Sequence, residues 1–264
     1  MFKPSFSLER TPIIECGKRR RYLKNGKFIY KDYEWVVSIR SGCGIFSRHV
    51  CSGTLISNQH VLTTATCIQH LRCALLLIGP DQEVHEIRRL ILPSIYGQHT
   101  FSYDELKHHV VRPDLAILKL EKLTQLTPIC LPSFDQLRFN INSFKFVSYR
   151  DRNKKIVETN LDQRSCFDGS SRIDLRSNKY FCIKHEPSSS INPNLLCNND
   201  EGGSLMFTLS GKWHMYGVLF KRLSENKSNW LNPSCYSKDK NGSPSYSIFT
   251  KIFDNFDWVK KSIN

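Results

Sequence analysis

At residues 197–205 the chain reads CNNDEGGSL, which sets two adjacent carboxylates, Asp200 and Glu201, against a glycine pair, Gly202 and Gly203. A carboxylate held at a sharp turn can attack an acetal or phosphoryl centre. Acyl transfer to it is unfavourable without a base, and with an anion facing any oxyanion hole. The same letters suit a plain tight turn, because glycines supply unusual backbone angles and an aspartate hydrogen-bonds its own main chain. Other reactive groups are dispersed. The ten cysteines are even in number and spread along the chain, with no Cys-x-x-Cys pair and no Cys/His cluster at ligand spacing. Disulfides are therefore expected, with no metal and no cofactor. His60 and His70 read as exposed loop or strand-end residues.

The elements that would position such a turn are short. Apolar runs of strand length recur between turn residues: EWVVSI (34–39), CSGTLIS (51–57), ALLLIG (74–79), RRLILP (88–93), DLAILKL (114–120), KFVSY (145–149), KYFCIK (179–184), KWHMYGVLF (212–220) and SYSIFT (245–250). Runs this rich in Val, Ile, Leu, Phe and Tyr predict an antiparallel barrel or sandwich. One helix is predicted, at the C-terminus, where Ile252, Phe253, Phe256, Val259 and Ile263 fall at helical spacing. The segment 187–194, rich in Ser and Asn, reads as a loop, and no internal repeat is present. A length of 264 residues suffices for one large or two small domains with a full core.

Lys and Arg number 38 against 24 Asp and Glu, a net charge of +14. That balance suits a polyanion such as a glycan, an acidic protein or nucleic acid, or a basic surface that is merely solvated. The densest run is KRRR at 18–21, and the other cations are scattered. No RNA-binding aromatic motif, zinc-finger spacing or heptad accompanies them, so nucleic acid is not expected. No stretch is apolar enough to span a membrane, so no membrane partner is expected. Disulfides imply an oxidising compartment, yet the first residues hold no apolar run of signal-peptide length. The expectation is a secreted chain whose leader lies outside this sequence. The sequons at Asn226 and Asn241 are no more than this composition yields by chance.

Five motifs occur in a telling order: CSGTLISNQHVLTTATC (51–67), DLAILKL (114–120), PICLP (128–132), CNNDEGGSL (197–205), and GVLF (217–220) followed by a closing helix with Trp258. Together they resemble the landmarks of the trypsin-like serine proteases, CGGSLI…VLTAAHC, DIALLKL, CLP, CxGDSGGPL and a C-terminal helix with Trp. The resemblance covers about residues 12–264. It implies an all-β fold, a trypsin-like double six-stranded antiparallel β-barrel with a C-terminal helix. Residues 1–21 would be a propeptide-like basic head and 22–264 the peptidase-type domain.

The chemistry of that family uses a nucleophilic serine, a histidine that takes its proton and an aspartate that orients the histidine. By the resemblance Thr66 stands at the histidine, Glu201 at the serine, and Asp114 at the aspartate. Asn199 replaces a glycine of the oxyanion loop, Asp200, Gly202 and Gly203 are kept, and Ser204 replaces a proline. Leu195 falls at the base of the specificity pocket, where trypsin has an aspartate. Phe220, Lys221 and Arg222 take the place of the SWG wall. Arg21 and Tyr22 fall at the bond that is cut on activation, with Tyr22 in place of the usual Ile or Val that would pair with Asp200.

The family's pairing joins Cys51 to Cys67, Cys16 to Cys130, Cys166 to Cys182 and Cys197 to Cys235. Cys43 and Cys73 are left over, for a fifth bridge with each other. Taken together these residues predict a catalytically inactive serine protease homologue that binds a protein partner such as a protease, zymogen or inhibitor. Residual or repurposed hydrolase activity and capture of an acidic glycan are the alternatives.

Overall fold

Trp35, Val36, Val37, Ser38 and Ile39 are all fully buried, and this β-branched run opens the first barrel. A computed structural model describes residues 15–24, 27–31, 33–42, 47–68, 74–78, 83–93, 114–133, 141, 144–150, 153–159, 180–185, 196, 200–224 and 245–264. Strands β3 (Val36–Ser41), β4 (Arg48–Leu55), β5 (His60–Thr63), β6 (Ala74–Ile78), β7 (Glu83–Ile91) and β8 (Ala116–Leu120) close into a barrel in the order β3-β4-β5-β8-β7-β6. Every pair is antiparallel. Its filling is largely aliphatic: Ile39, Leu55, Leu62, Leu76, Leu115, Ile117 and Leu118 are buried completely or nearly so. A side chain at Gly53 would place its Cβ 2.7 Å from Val61 Cγ1, so glycine there lets β4 and β5 approach.

The second half is a six-stranded antiparallel sheet in the order β10-β9-β12-β13-β14-β11. It is made of β9 (Phe144–Arg150), β10 (Asn153–Thr159), β11 (Tyr180–His185), β12 (Ser204–Leu209), β13 (Lys212–Ser224) and β14 (Ser245–Lys251). Its core is aromatic, with Phe144, Phe146, Phe207 and Phe249 packed around Leu205 and Leu219. Edge-to-face contacts such as Phe146 against Phe249, centroids 5.9 Å apart, follow from the ring quadrupole. Strand β9 also lies against β3 and β4, so it is the seam between the two halves. This is the expected trypsin-like architecture, two six-stranded antiparallel units, the first a closed barrel.

After a short 3-10 turn at Phe253–Asn255, helix α2 (Phe256–Ile263) closes the chain. Val259 is buried, with Trp258 and Ile263 half-buried against the main core, as the helical spacing predicts.

At the other end, Cys16 is bonded to Cys130. Gly17 donates its N–H to Pro128 O at 2.7 Å and accepts from Trp213 N at 2.9 Å. Gly17 has φ +68°, and a Cβ there would sit 2.4 Å from Trp213 O, so only glycine fits this weld.

Between the weld and Trp35 lies a separate two-stranded ribbon, β1 (Arg20–Lys24) paired with β2 (Lys27–Lys31). The expected head–domain boundary, Arg21–Tyr22, falls inside β1, where Arg21 pairs with Tyr30 and Tyr22 with Ile29. Residues 1–14 of that head lie outside the described residues.

Candidate functional site

Strand β5 ends at Thr63, and the next turn is helix α1 (Ala65–Ile68), which carries Thr66. Cys67 within it is bonded to Cys51 of β4, fixing the helix to the barrel. Asp114 lies at the entry to β8, beside β5, and is buried. Its Oδ1 accepts the main-chain N–H of Thr66 at 2.9 Å. This bond is to the main chain, so it holds Asp114 against α1 independently of the side chain at 66. Tyr180 of β11 also reaches this place. Burial pushes its phenol well above the ordinary value, the Asp114 charge pushes it further, and a hydrogen bond with the Asp114 main chain opposes both. Its ring lies 5.9 Å from that of Phe220.

The Asp200–Gly203 turn enters from the second sheet and is gripped by the first barrel. Ser52 of β4 donates its N–H to Glu201 O at 2.8 Å. Gly202 donates to Leu219 O and Leu219 donates to Gly203 O, both at 2.9 Å, while Gly203 N–H closes the turn on Asp200 O at 3.0 Å. Gly202 adopts φ +78°, and a Cβ on it would lie 2.0 Å from Ser52 O and 2.6 Å from Thr63 Oγ1. A Cβ on Gly203 would meet Phe146 Cζ at 2.5 Å. Both glycines are therefore required by close approach, the first also by its left-handed angle. The backbone at 200–203 is the tight turn that the glycine pair predicts.

The Asp200 side chain is fully buried, and its Oδ1 accepts the Ser148 hydroxyl of β9 at 2.8 Å. Ser52 joins the same web: its carbonyl accepts the Thr63 hydroxyl and its hydroxyl accepts Tyr149 N–H, each at 2.8 Å. Ser204, where the resemblance has a proline, is buried, and its hydroxyl finds no hydrogen-bond partner among the described residues. Glu201 is half-buried, and one of its carboxylate oxygens lies within 4.8 Å of the sulfurs of Cys51 and Cys67. The turn and α1 therefore meet, bringing Glu201, Asp114 and Thr66 to one place. Both sulfurs are committed to the disulfide, so this trio offers a metal no thiolate ligand.

His60 corrects an expectation. It begins β5, as a strand-end residue, but is buried rather than exposed, bonded to Ser57 Oγ through Nδ1 at 2.8 Å. Burial and the neighbouring Lys119 lower its pKa. His49 bonds Ser38, His85 faces Glu83, and His214 stacks on Phe207 with Nδ1 at Lys212 O.

Phe220, expected at a pocket wall, is buried beside Tyr180. Lys221 and Arg222 lie in β13, with their side chains outside the described residues, as are those of Arg21 and Tyr22 in β1. Leu195, Asn199, Cys43, Cys73, Cys166, Cys197, Cys235 and His70 lie outside the described residues, and so does the side chain of Cys182. Two of the expected disulfides, Cys16–Cys130 and Cys51–Cys67, are formed. Ser52, Ser148 and Tyr180 were missed by sequence reasoning. Their one signal is a polar atom inside a strand-like apolar run.

Residues 25–259 match the family model described as Trypsin. The chain is 27% identical over 256 residues to Ovochymase-2 of Mus musculus, an alignment covering 88% of this chain and 39% of that protein. It is 20% identical over 255 residues to Coagulation factor XI of Bos taurus, covering 91% and 37%. Over 146 residues it is 25% identical to Serine protease filzig of Drosophila melanogaster, covering 47% and 8%. The chain thus spans well under half the length of each of these relatives.

Proposed function

The chain belongs to the trypsin family, and we propose that it is a secreted member without peptidase activity, whose former cleft and surrounding loops dock a protein such as a protease, a zymogen or an inhibitor. The observation that carries this reading is the set of residues brought together: buried Asp114 stands beside Thr66, which offers no imidazole, and the intact glycine turn presents Glu201 rather than a hydroxyl. A threonine hydroxyl does not take a proton near neutral pH, so it cannot activate a nucleophile. A carboxylate at position 201 would oppose the negative charge of a tetrahedral intermediate. Loss of triad members costs on the order of a million-fold in turnover, leaving roughly a thousandfold over water. Two of three positions are replaced here.

Two disulfides support an oxidising compartment. Among the described residues no helix is long and apolar enough to cross a membrane.

A serine-directed fluorophosphonate probe tests the loss of catalysis. The expected result is no covalent label on the folded chain. Labelling that persists in Glu201→Ala and disappears on substitution of a serine or threonine would overturn it.

A further inference from the structure

The run KRRR at 18–21 and the residues Lys24, Lys27 and Lys31 fall within fourteen positions that contain no acid. In the sequence the last three look like scattered cations; the ribbon gathers them. Its register sets Arg20 opposite Lys31 and Lys24 opposite Lys27, with Tyr22 opposite Ile29 between them. Like charges placed directly opposite across a strand pair destabilise it. Two such pairs in a five-residue ribbon therefore work against its own folding. The pairs lie four residues apart on the same alternation of the strand, about 13 Å along the ribbon. At its base, Lys18 and Arg19 are exposed, Lys18 beside Glu15 and Arg19 over the Tyr33 ring at 5.9 Å. The ribbon is the only sheet among the described residues whose strands pair with nothing but each other.

We infer that the β1–β2 ribbon is a binding site for a linear sulfated polysaccharide, whose anionic groups would relieve the two like-charge pairs. A ribbon two strands wide matches a single extended polyanion rather than a broad surface. The disulfides point to an oxidising environment, in which sulfated glycans rather than nucleic acid are the available polyanions. The site uses none of Thr66, Asp114 or Glu201, so it stands or falls separately from the loss of catalysis.

The test is retention on immobilised heparin across a salt series. It compares the full chain with a ribbon variant (Arg20→Gln, Lys24→Gln, Lys27→Gln, Lys31→Gln) and a control that removes the same charge elsewhere (Arg88→Gln, Lys122→Gln, Lys260→Gln, Lys261→Gln). The expected outcome is a loss of tenfold or more in affinity for the ribbon variant, with a shallower salt dependence, against less than about threefold for the control. As a second readout on the unaltered chain, a heparin oligosaccharide should slow amide exchange at Tyr22 and Ile29 more than at strands of the barrel. Equal losses in the two variants would overturn the inference in favour of diffuse charge. So would unchanged exchange at the ribbon, or displacement of heparin by duplex DNA at equal phosphate and sulfate concentration.

Discussion

The Asp200–Gly203 turn is held from both sides, by Ser52 of the first barrel and by Leu219 and Ser148 of the second sheet. The β1–β2 ribbon, by contrast, hydrogen-bonds as a sheet only to itself among the described residues. The turn is close-packed backbone whose two glycines are fixed by contact with Ser52 and Phe146. The ribbon carries dense charge on a minimal scaffold. The difference shows that geometry and chemistry are constrained separately: the turn is needed by the fold whatever stands at position 201, because its glycines join the two halves. The ribbon's strands make no such backbone link to either half among the described residues.

The comparison is broken most sharply at Gly202. Substitution to alanine forces a Cβ into the Ser52 carbonyl at a left-handed angle. The expected loss is about 3 kcal/mol or more in a denaturant titration. A loss under about 1 kcal/mol would mean that the two halves are not clamped there. Ser148→Ala comes next. It removes a donor from the buried Asp200 carboxylate, with an expected cost of about 1–3 kcal/mol. Cutting the chain at Arg21 should recover none of it if Tyr22 stays in the ribbon register.

Acid should act on the body before the ribbon. His60 and His214 both have pKa values lowered from 6.5, first by burial. Above about pH 6.5 both are neutral folded and unfolded, and cost nothing. As pH falls below that value the unfolded chain takes up protons that the folded chain resists, so stability declines on acidification. Thermal melts from pH 7.5 to 5 should show this fall, and His60→Gln should make it shallower. An unchanged slope would remove His60 from the account. The smallest effect is at the ribbon: Lys27→Glu, which turns a like pair into an opposite pair, should change global stability by only a few tenths of a kcal/mol.

The strands that open or close each half were legible because runs such as EWVVSI and DLAILKL are apolar enough to stand out. The ribbon was hidden in a basic segment, although Asn25-Gly26 between Lys24 and Lys27 is a recognised two-residue hairpin signal. The cations at 20, 21, 24, 27 and 31 flank and masked Tyr22, Leu23, Phe28 and Ile29 as strand formers. Strand β10, NKKIVET, was missed for the same reason. At the site, Thr66, Asp114 and Glu201 were readable from motif order. Ser148 and Ser52 were not, since their partners Asp200 and Tyr149 are 52 and 97 residues away. A lone serine in a strand gives no hint of such a contact. Burial of His60 was also illegible, because it depends on the register between β5 and β8.

The central claim is that the cleft lost catalysis as a whole and not at two residues. Its most direct test is turnover of a panel of peptide esters by Thr66→His with Glu201→Ser, measured beside the unaltered chain after cleavage at Arg21. The account predicts no turnover by the unaltered chain and little by the double variant. The restored pair would still face a buried Phe220 at the expected pocket wall, an Asp200 already bonded to Ser148, and a Tyr22 end paired in the ribbon. Turnover by the double variant near that of an ordinary trypsin-like enzyme would contradict it, as would turnover by the unaltered chain that Glu201→Ala abolishes.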